Sequence, residues 1–128
     1  MEKKDEIVFY IKKYRELSDQ HRHEEEMVVL TKLIELDPRC ETPYNGFYFN
    51  HYYNRGVLYG YLGQDDKAIA DYTKAIEVNP KHESAWANRG VCHSNLGNID
   101  NATHDLTMCL KINPKSIYRV NLHLCQKG

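Results

Sequence analysis

The chain has 128 residues, 27% of them charged, and a net charge of −1. That length points to one domain, and so small a net charge gives no electrostatic reason to expect a nucleic acid or an anionic membrane as partner. No apolar run approaches the roughly 18–20 residues of a membrane span, and the mixed Met1–Ile11 stretch lacks the apolar centre of a signal peptide.

A cytoplasmic, reducing location is therefore expected, with Cys40, Cys92, Cys109 and Cys125 as free thiols. In chain order, the first predicted elements are helices over Lys3–Ser18 and Glu24–Leu36. The turn between them carries His21-x-His23 beside Glu24, Glu25 and Glu26. This spacing matches no zinc pattern, and a helix macrodipole explains acidic residues at an N-terminus; no metal is expected. Next comes "TPYNGFYFNHYYNRG", Thr42 to Gly56, in which six of the ten residues from Tyr44 to Tyr53 are aromatic. Thr42 as cap and Pro43 in the first turn predict a helix starting there. Tyr44, Tyr48 and Tyr52 would then form one packing stripe, and Phe49 and Tyr53 a second. The rival reading is a turn at Pro43–Gly46 with the helix starting near Phe47.

From here the sequence repeats itself. "NRGVLYGYLGQ" (Asn54–Gln64) returns 34 residues later as "NRGVCHSNLGN" (Asn88–Asn98), and the same offset carries Asp71 to Asp105, Thr73 to Thr107 and Pro80 to Pro114. Apolar residues replace apolar ones between the copies, as in Tyr72/Leu106 and Ile76/Leu110. "TKLIELDP" (Thr31–Pro38) parallels "TKAIEVNP" (Thr73–Pro80) at an offset of 42, so eight residues are added in between, where the aromatic run lies. Helical spacing of Tyr52, Gly56 and Tyr59, and of Ile69, Tyr72 and Ile76, predicts two helices per unit. Gly63 and Gly97 end the first helix of each pair, and Asn79-Pro80 and Asn113-Pro114 end the second. Such hairpins cannot bury their apolar stripes alone and must stack. Lys115–Gln126 starts a final helix, with Tyr118, Leu122 and Cys125 inward at i, i+4 and i+7.

On these residues the chain resembles the tetratricopeptide repeat (TPR) family, whose pattern is Trp-x2-Leu-Gly-x2-Tyr, then Ala-x3-Phe, then a later Ala and Pro. Trp86, Gly90, Ala102 and Pro114 match in the last full unit, with Leu106 for the Phe, Cys109 for the second Ala and His93 for the Tyr. Tyr52, Gly56, Tyr59, Ala68, Tyr72, Ala75 and Pro80 match in the middle one. Arg55 and Arg89 replace the Leu. In the first unit Tyr14 stands where the Gly belongs and Glu26 where the first Ala belongs, so its two helices should pack more loosely. The resemblance implies an all-α fold, an α-α superhelix of about three hairpins plus a C-terminal capping helix. One domain spans 1–128: a divergent repeat at 1–38, an aromatic insertion at 39–51, repeats at 49–82 and 83–116, and the capping helix at 117–128.

The resemblance also implies a non-catalytic protein–protein interaction module, which takes a peptide or helix of a partner in a concave groove lined by first helices. That face should carry Asn50, Tyr53, Asn54, Val57 and Tyr61 with Phe49 in the middle unit. It should carry Asn88, Val91 and Asn95 with Ser84 and Ala87 in the last, and Val8, Ile11, Lys12 and Arg15 in the first. An Asn amide offers a donor and an acceptor to a peptide main chain. In a carboxylate clamp, another use of this family, Asn54 fits one place, but the basic places hold Ile11, Ser84 and Asn88; chaperone tails are not expected. Cys92-His93 are adjacent on one helix and make no dyad. The chain has no P-loop, G-x-S-x-G or G-x-G-x-x-G, so no enzyme and no cofactor are expected. The aromatics lack the positive groove that single-stranded nucleic acid needs; Arg55 and Arg89 are read as covering helix surface with their stems. The second function class is assembly, with the solenoid ends or the aromatic insertion pairing with another copy, a homodimer included, or with a larger partner.

Overall fold

The computed structural model describes residues 2–127. Its helices are α1 (Lys3–Asp19), α2 (His23–Leu36), α3 (His51–Tyr61), α4 (Asp65–Val78), α5 (Glu83–Asn95), α6 (Ile99–Ile112) and α7 (Arg119–Lys127). Each packs on the next along the chain, apart from a short hairpin between α2 and α3. This is the expected all-α repeat fold.

The turns inside the repeats follow from local chemistry. After α3, Gly63 has φ +75°, and the Gln64 and Gly63 amides donate to Tyr59 O (2.9 Å) and Gly60 O (3.1 Å). After α5, Gly97 has φ +82°, with the matching bonds Asn98 to His93 O (2.8 Å) and Gly97 to Ser94 O (3.0 Å). These are Schellman closures, which need a left-handed residue. The first hairpin makes the same closure with His21 at φ 55°.

Close approach of the paired helices depends on the small residues. A Cβ on Gly56 would lie 2.8 Å from the Tyr72 ring, and one on Gly90 would lie 3.0 Å from Leu106 Cγ and 3.2 Å from Ala102 O. Tyr14 and Glu26 deny α1 and α2 that approach, and the pair packs less closely than α3 with α4 or α5 with α6, although α1 is the longest helix. Glu26 is buried, and His23 Nδ1 lies 2.7 Å from its carboxylate.

The insertion does not lengthen α3, contrary to the helix expected from Thr42. Asn45 (φ 51°) and Gly46 (φ 80°) make a two-residue turn that joins β1 (Pro43–Tyr44) to β2 (Phe47–Tyr48) in antiparallel register. Asn-Gly suits such a turn, since both positions need positive φ. Asn50 then caps α3, its Oδ1 accepting from Tyr53 N at 3.1 Å. The hairpin also breaks the expected stripe: Tyr44 and Phe49 pack on the first core cluster, while Phe47 and Tyr48 stay about 70% exposed.

Asp37, at the end of α2, holds the base of the insertion. Its carboxylate accepts from the amides of Glu41 (3.0 Å) and Thr42 (3.1 Å), and His51 Nε2 lies 3.4 Å away. The His51 amide donates to Cys40 Sγ at 3.4 Å. The Thr42 amide is thus held by Asp37 where the hairpin begins, and the positive φ of Asn45 and Gly46 excludes a helix from Thr42. All four cysteines are free and buried, and burial pushes the Cys40 thiol up to about 11.

The core runs along the stack in three clusters. Ile7, Ile11, Leu17, Leu30 and Leu33 reach Leu58; Ala68 and Tyr72 meet Cys92; Ala87, Leu106 and Cys109 meet Cys125. Tyr118 and Leu122 pack on this last cluster, so α7 lays the expected face on the end of the stack.

Repeated polar struts cross between the helices. Arg55 grips Asp71 with two bonds (2.7 and 2.8 Å) and donates to Thr31 Oγ1 at 3.3 Å. One repeat later, Arg89 grips Asp105 (2.8 and 2.7 Å) and donates to Thr73 Oγ1 at 3.2 Å. Each guanidinium ties both helices of its own repeat to the second helix of the repeat before. The expected surface-covering role of these arginines is corrected accordingly: the buried carboxylates of Asp71 and Asp105 draw their head groups inward.

Candidate functional site

The first helices α1, α3, α5 and α7 stand side by side, and the clefts between them form the candidate site. Between α1 and α3 a cleft of about 220 Å³ is lined by Tyr14, Arg15, Ser18, Asp19, Phe49 and Asn54. Asn54 is half-buried there, and among the described residues its amide has no side-chain hydrogen bond. Arg15 lies with its guanidinium 5.4 Å from the Tyr44 ring centre, so the insertion borders this cleft.

Between α3 and α5, Tyr53 is the centre. Its hydroxyl accepts from Asn88 Nδ2 at 3.2 Å, and its ring lies 4.5 Å from that of His82 and 5.9 Å from that of Tyr72. Burial raises the Tyr53 pKa above its ordinary value, against the hydrogen bonds of Ser84 and Asn88, so it remains a neutral phenol. Burial likewise lowers the His82 pKa, while His82 accepts from Ala85 N at 3.2 Å and caps α5. This junction carries no net charge near neutral pH.

Between α5 and α7 lies a cleft of about 340 Å³, lined by Val91 and Asn95 with Ile99, Leu106, Asn121 and Leu124. Val91 is half-buried and Asn95 exposed.

The expected face residues thus divide. Tyr53 and Asn88 meet directly, Asn54 shares the α1/α3 cleft with Phe49, and Val91 and Asn95 share the α5/α7 cleft. Val57 packs on the middle core cluster. Tyr61 is 79% exposed at the end of α3, 5.6 Å from the His23 ring. Asn50 serves the fold: besides capping α3 it donates to Ala75 O at 3.1 Å. Ile11 and Ala87, expected on the face, are fully buried. Of the places a carboxylate clamp would use, Ile11 is core, and Ser84 and Asn88 are turned to Tyr53. Sequence reasoning missed the Asp37–His51 and Arg–Asp contacts. The second had a signal, because Arg55, Asp71 and Thr73 return at Arg89, Asp105 and Thr107.

The tetratricopeptide repeat family model matches residues 50–82 and 84–116, just over half of the chain. The chain belongs to the tetratricopeptide repeat family. Comparison with curated protein sequences gave no match. Among solved structures, the chain is similar to the Arabidopsis OM64 TPR domain, with a TM-score of 0.85 and 20% identity over 99% of each chain. It is also similar to the first TPR of Spaghetti (RPAP3) bound to the HSP90 peptide SRMEEVD, with a TM-score of 0.81, 20% identity, and coverage of 94% of this chain and 90% of that one. A third is the second TPR domain of human RPAP3 in complex with the HSP70 peptide SGPTIEEVD: TM-score 0.82, 20% identity, 98% and 99% covered. Likeness at this level of identity speaks for the fold.

Proposed function

We propose that the face formed by α1, α3, α5 and α7 binds an extended peptide segment of a partner protein through its main chain and an aliphatic side chain, without gripping a terminal carboxylate. The observation that carries this is Asn54, a half-buried amide with no side-chain hydrogen bond among the described residues, set in a cleft between helices. Its donor and acceptor match a peptide unit. Two of the similar structures hold peptides, which supports a peptide as ligand class. The charges around the site support a ligand other than their acidic tails: Arg15 shares its cleft with Asp19, and Tyr53 and His82 bring no positive charge to the α3/α5 junction.

Selection from a displayed peptide library against the whole chain tests this. Selected peptides should bind equally with a free or an amidated C-terminus, and Asn54→Ala should weaken them about tenfold, the loss of one well-made buried hydrogen bond. Binding of SRMEEVD that disappears on amidation overturns the reading. A second reading, self-assembly through the insertion, rests on exposed Phe47 and Tyr48; a stable dimer that Tyr48→Asp converts to monomer would establish it.

A further inference from the structure

The C-terminal end of the stack carries an unusual surface. Terminal units of a solenoid need a polar outer face to stay soluble. Instead, Val120 (63%) and Leu124 (62%) stand exposed at i and i+4 along α7, and Ile117 (82%) stands exposed in the turn just before it. Leu122 and Cys125 of α7, with Tyr118 just before it, pack this end onto the stack.

The repeat explains where this apolar stripe lies. Carrying the offset of 34 onward from α5 puts Val120 at the place of Trp86, His123 at that of Arg89 and Leu124 at that of Gly90. In α5 those three places meet α6: Trp86 packs against the cluster that contains Ala102 and Leu106, Arg89 grips Asp105, and Gly90 lies under Leu106. The stripe on α7 is therefore the face on which a second helix belongs, and among the described residues none covers it. Beside it a cleft of about 360 Å³ runs between Leu110 of α6 and Arg119, Val120, Leu122 and His123 of α7.

Charge narrows what could fill it. From Asn113 to the last residue the chain has Lys115, Arg119, His123 and Lys127 but no Asp or Glu. The Arg119 guanidinium donates to the Pro114 carbonyl, and among the described residues it has no carboxylate partner. At the Arg89 register, the partner is a carboxylate on the following helix, and His123 stands exposed at that register. Thr107 repeats Thr73, which accepts from Arg89. Leu124 in place of a glycine keeps the incoming helix further off than α6 is from α5, as Tyr14 does between α1 and α2; a small side chain on the incoming helix suits that contact.

We propose that this face docks an acidic amphipathic helix of a partner protein, which completes a fourth hairpin on α7 with a carboxylate directed at His123. Leu124 also lines the α5/α7 cleft, so the site adjoins the peptide face, while Val120 and His123 lie outside that cleft.

The chain itself supplies a probe. A labelled peptide of residues 64–79 has the sequence of α4, with Asp65, Asp66, Asp71 and Glu77 against two lysines, and Asp71 at the strut register. Fluorescence anisotropy with the whole protein should show saturable binding that weakens about tenfold with Val120→Asp. Val120 is exposed, so the variant should keep the wild-type melting curve, which circular dichroism verifies. His123→Arg should tighten the peptide severalfold, and that gain should vanish with a peptide carrying Asp71→Asn, a double-mutant cycle that a purely structural role would not move. Three results would overturn the proposal: no binding at millimolar peptide, binding indifferent to Val120→Asp, or equal binding of a peptide with its acidic residues neutralised. Sedimentation supplies a fourth: a dimer abolished by Val120→Asp means that a second copy holds the face.

Discussion

Asp105 shows what a single buried carboxylate demands of its surroundings. It is 2% exposed, held by two bonds from Arg89, with His93 Nε2 a further 3.9 Å away. Removing one partner of a buried ion pair leaves an uncompensated charge and costs about 3–5 kcal/mol. Arg89→Ala should lower the urea-derived stability by at least about 2 kcal/mol, allowing for the partial exposure of the arginine. Arg89→Leu combined with Asp105→Leu should recover most of the loss, because two apolar residues need no partner. His51 gives a pH dependence. It is 1% exposed, its Nδ1 has no partner among the described residues, and burial lowers its pKa against the opposing pull of Asp37. A histidine depressed in the folded state adds stability above its unfolded pKa and loses it as pH falls through the folded one. His82 is depressed by burial too. Stability should therefore fall as pH drops below about 6.5, and His51→Gln should flatten that slope in denaturant titrations taken at several pH values.

Between elements, glycines with the same helical backbone have opposite roles. Gly60 and Gly90 both sit inside helices, where Gly is about 1 kcal/mol worse than Ala. A Cβ on Gly60 would meet nothing closer than the Tyr72 hydroxyl at 3.8 Å, whereas one on Gly90 would press on Leu106, on Asp105 and on the Ala102 carbonyl. Gly60→Ala should raise stability by about 0.5–1 kcal/mol. Gly90→Leu should lower it by more than propensity explains, by about 3 kcal/mol from overpacking. A melt of Gly90→Leu within a degree or two of the wild type would contradict the close-packed α5–α6 contact. The inserted element follows the same logic of local demand. Asn45-Gly46 satisfies a turn that reverses the chain, and Asp37 takes up the Glu41 and Thr42 amides at the base of the hairpin.

For the molecule as a whole, stability depends on covering the ends of the stack. Leu122 and Cys125 of α7, with Tyr118 just before it, lie over Ala87, Leu106 and Cys109. Burying an apolar side chain is worth about 1.5–3 kcal/mol, so a chain ending at Asn113 should lose roughly 3–5 kcal/mol of stability and bind more of a hydrophobic dye. Unchanged unfolding on removal of α7 would mean that the last cluster is stable without its cap.

Periodicity alone determined the architecture. The 34-residue offset, the glycines after the first helices and the Asn-Pro pairs before the next unit are local signals, and each acts within one or two helical turns. The same pattern placed the packing face of α7 and marked Tyr14 as an obstacle to close packing. The tertiary structure decided what the polar side chains do, because each had several partners in reach and only the fold brings one of them near. Asn50 and Asn88 look alike in sequence to Asn54, yet Ala75 O captures the first and the Tyr53 hydroxyl the second, while Asn54 has no side-chain hydrogen bond among the described residues. Arg55 and Arg89 turn inward because the buried Asp71 and Asp105, sixteen residues on, come within 3 Å only when the helices pair. The aromatic run folded as a hairpin rather than a helix through local contacts, the Asn45-Gly46 turn and the Asp37 carboxylate on the Thr42 amide; the tertiary structure decided only which of its rings pack, Tyr44 and Phe49 against the first core cluster.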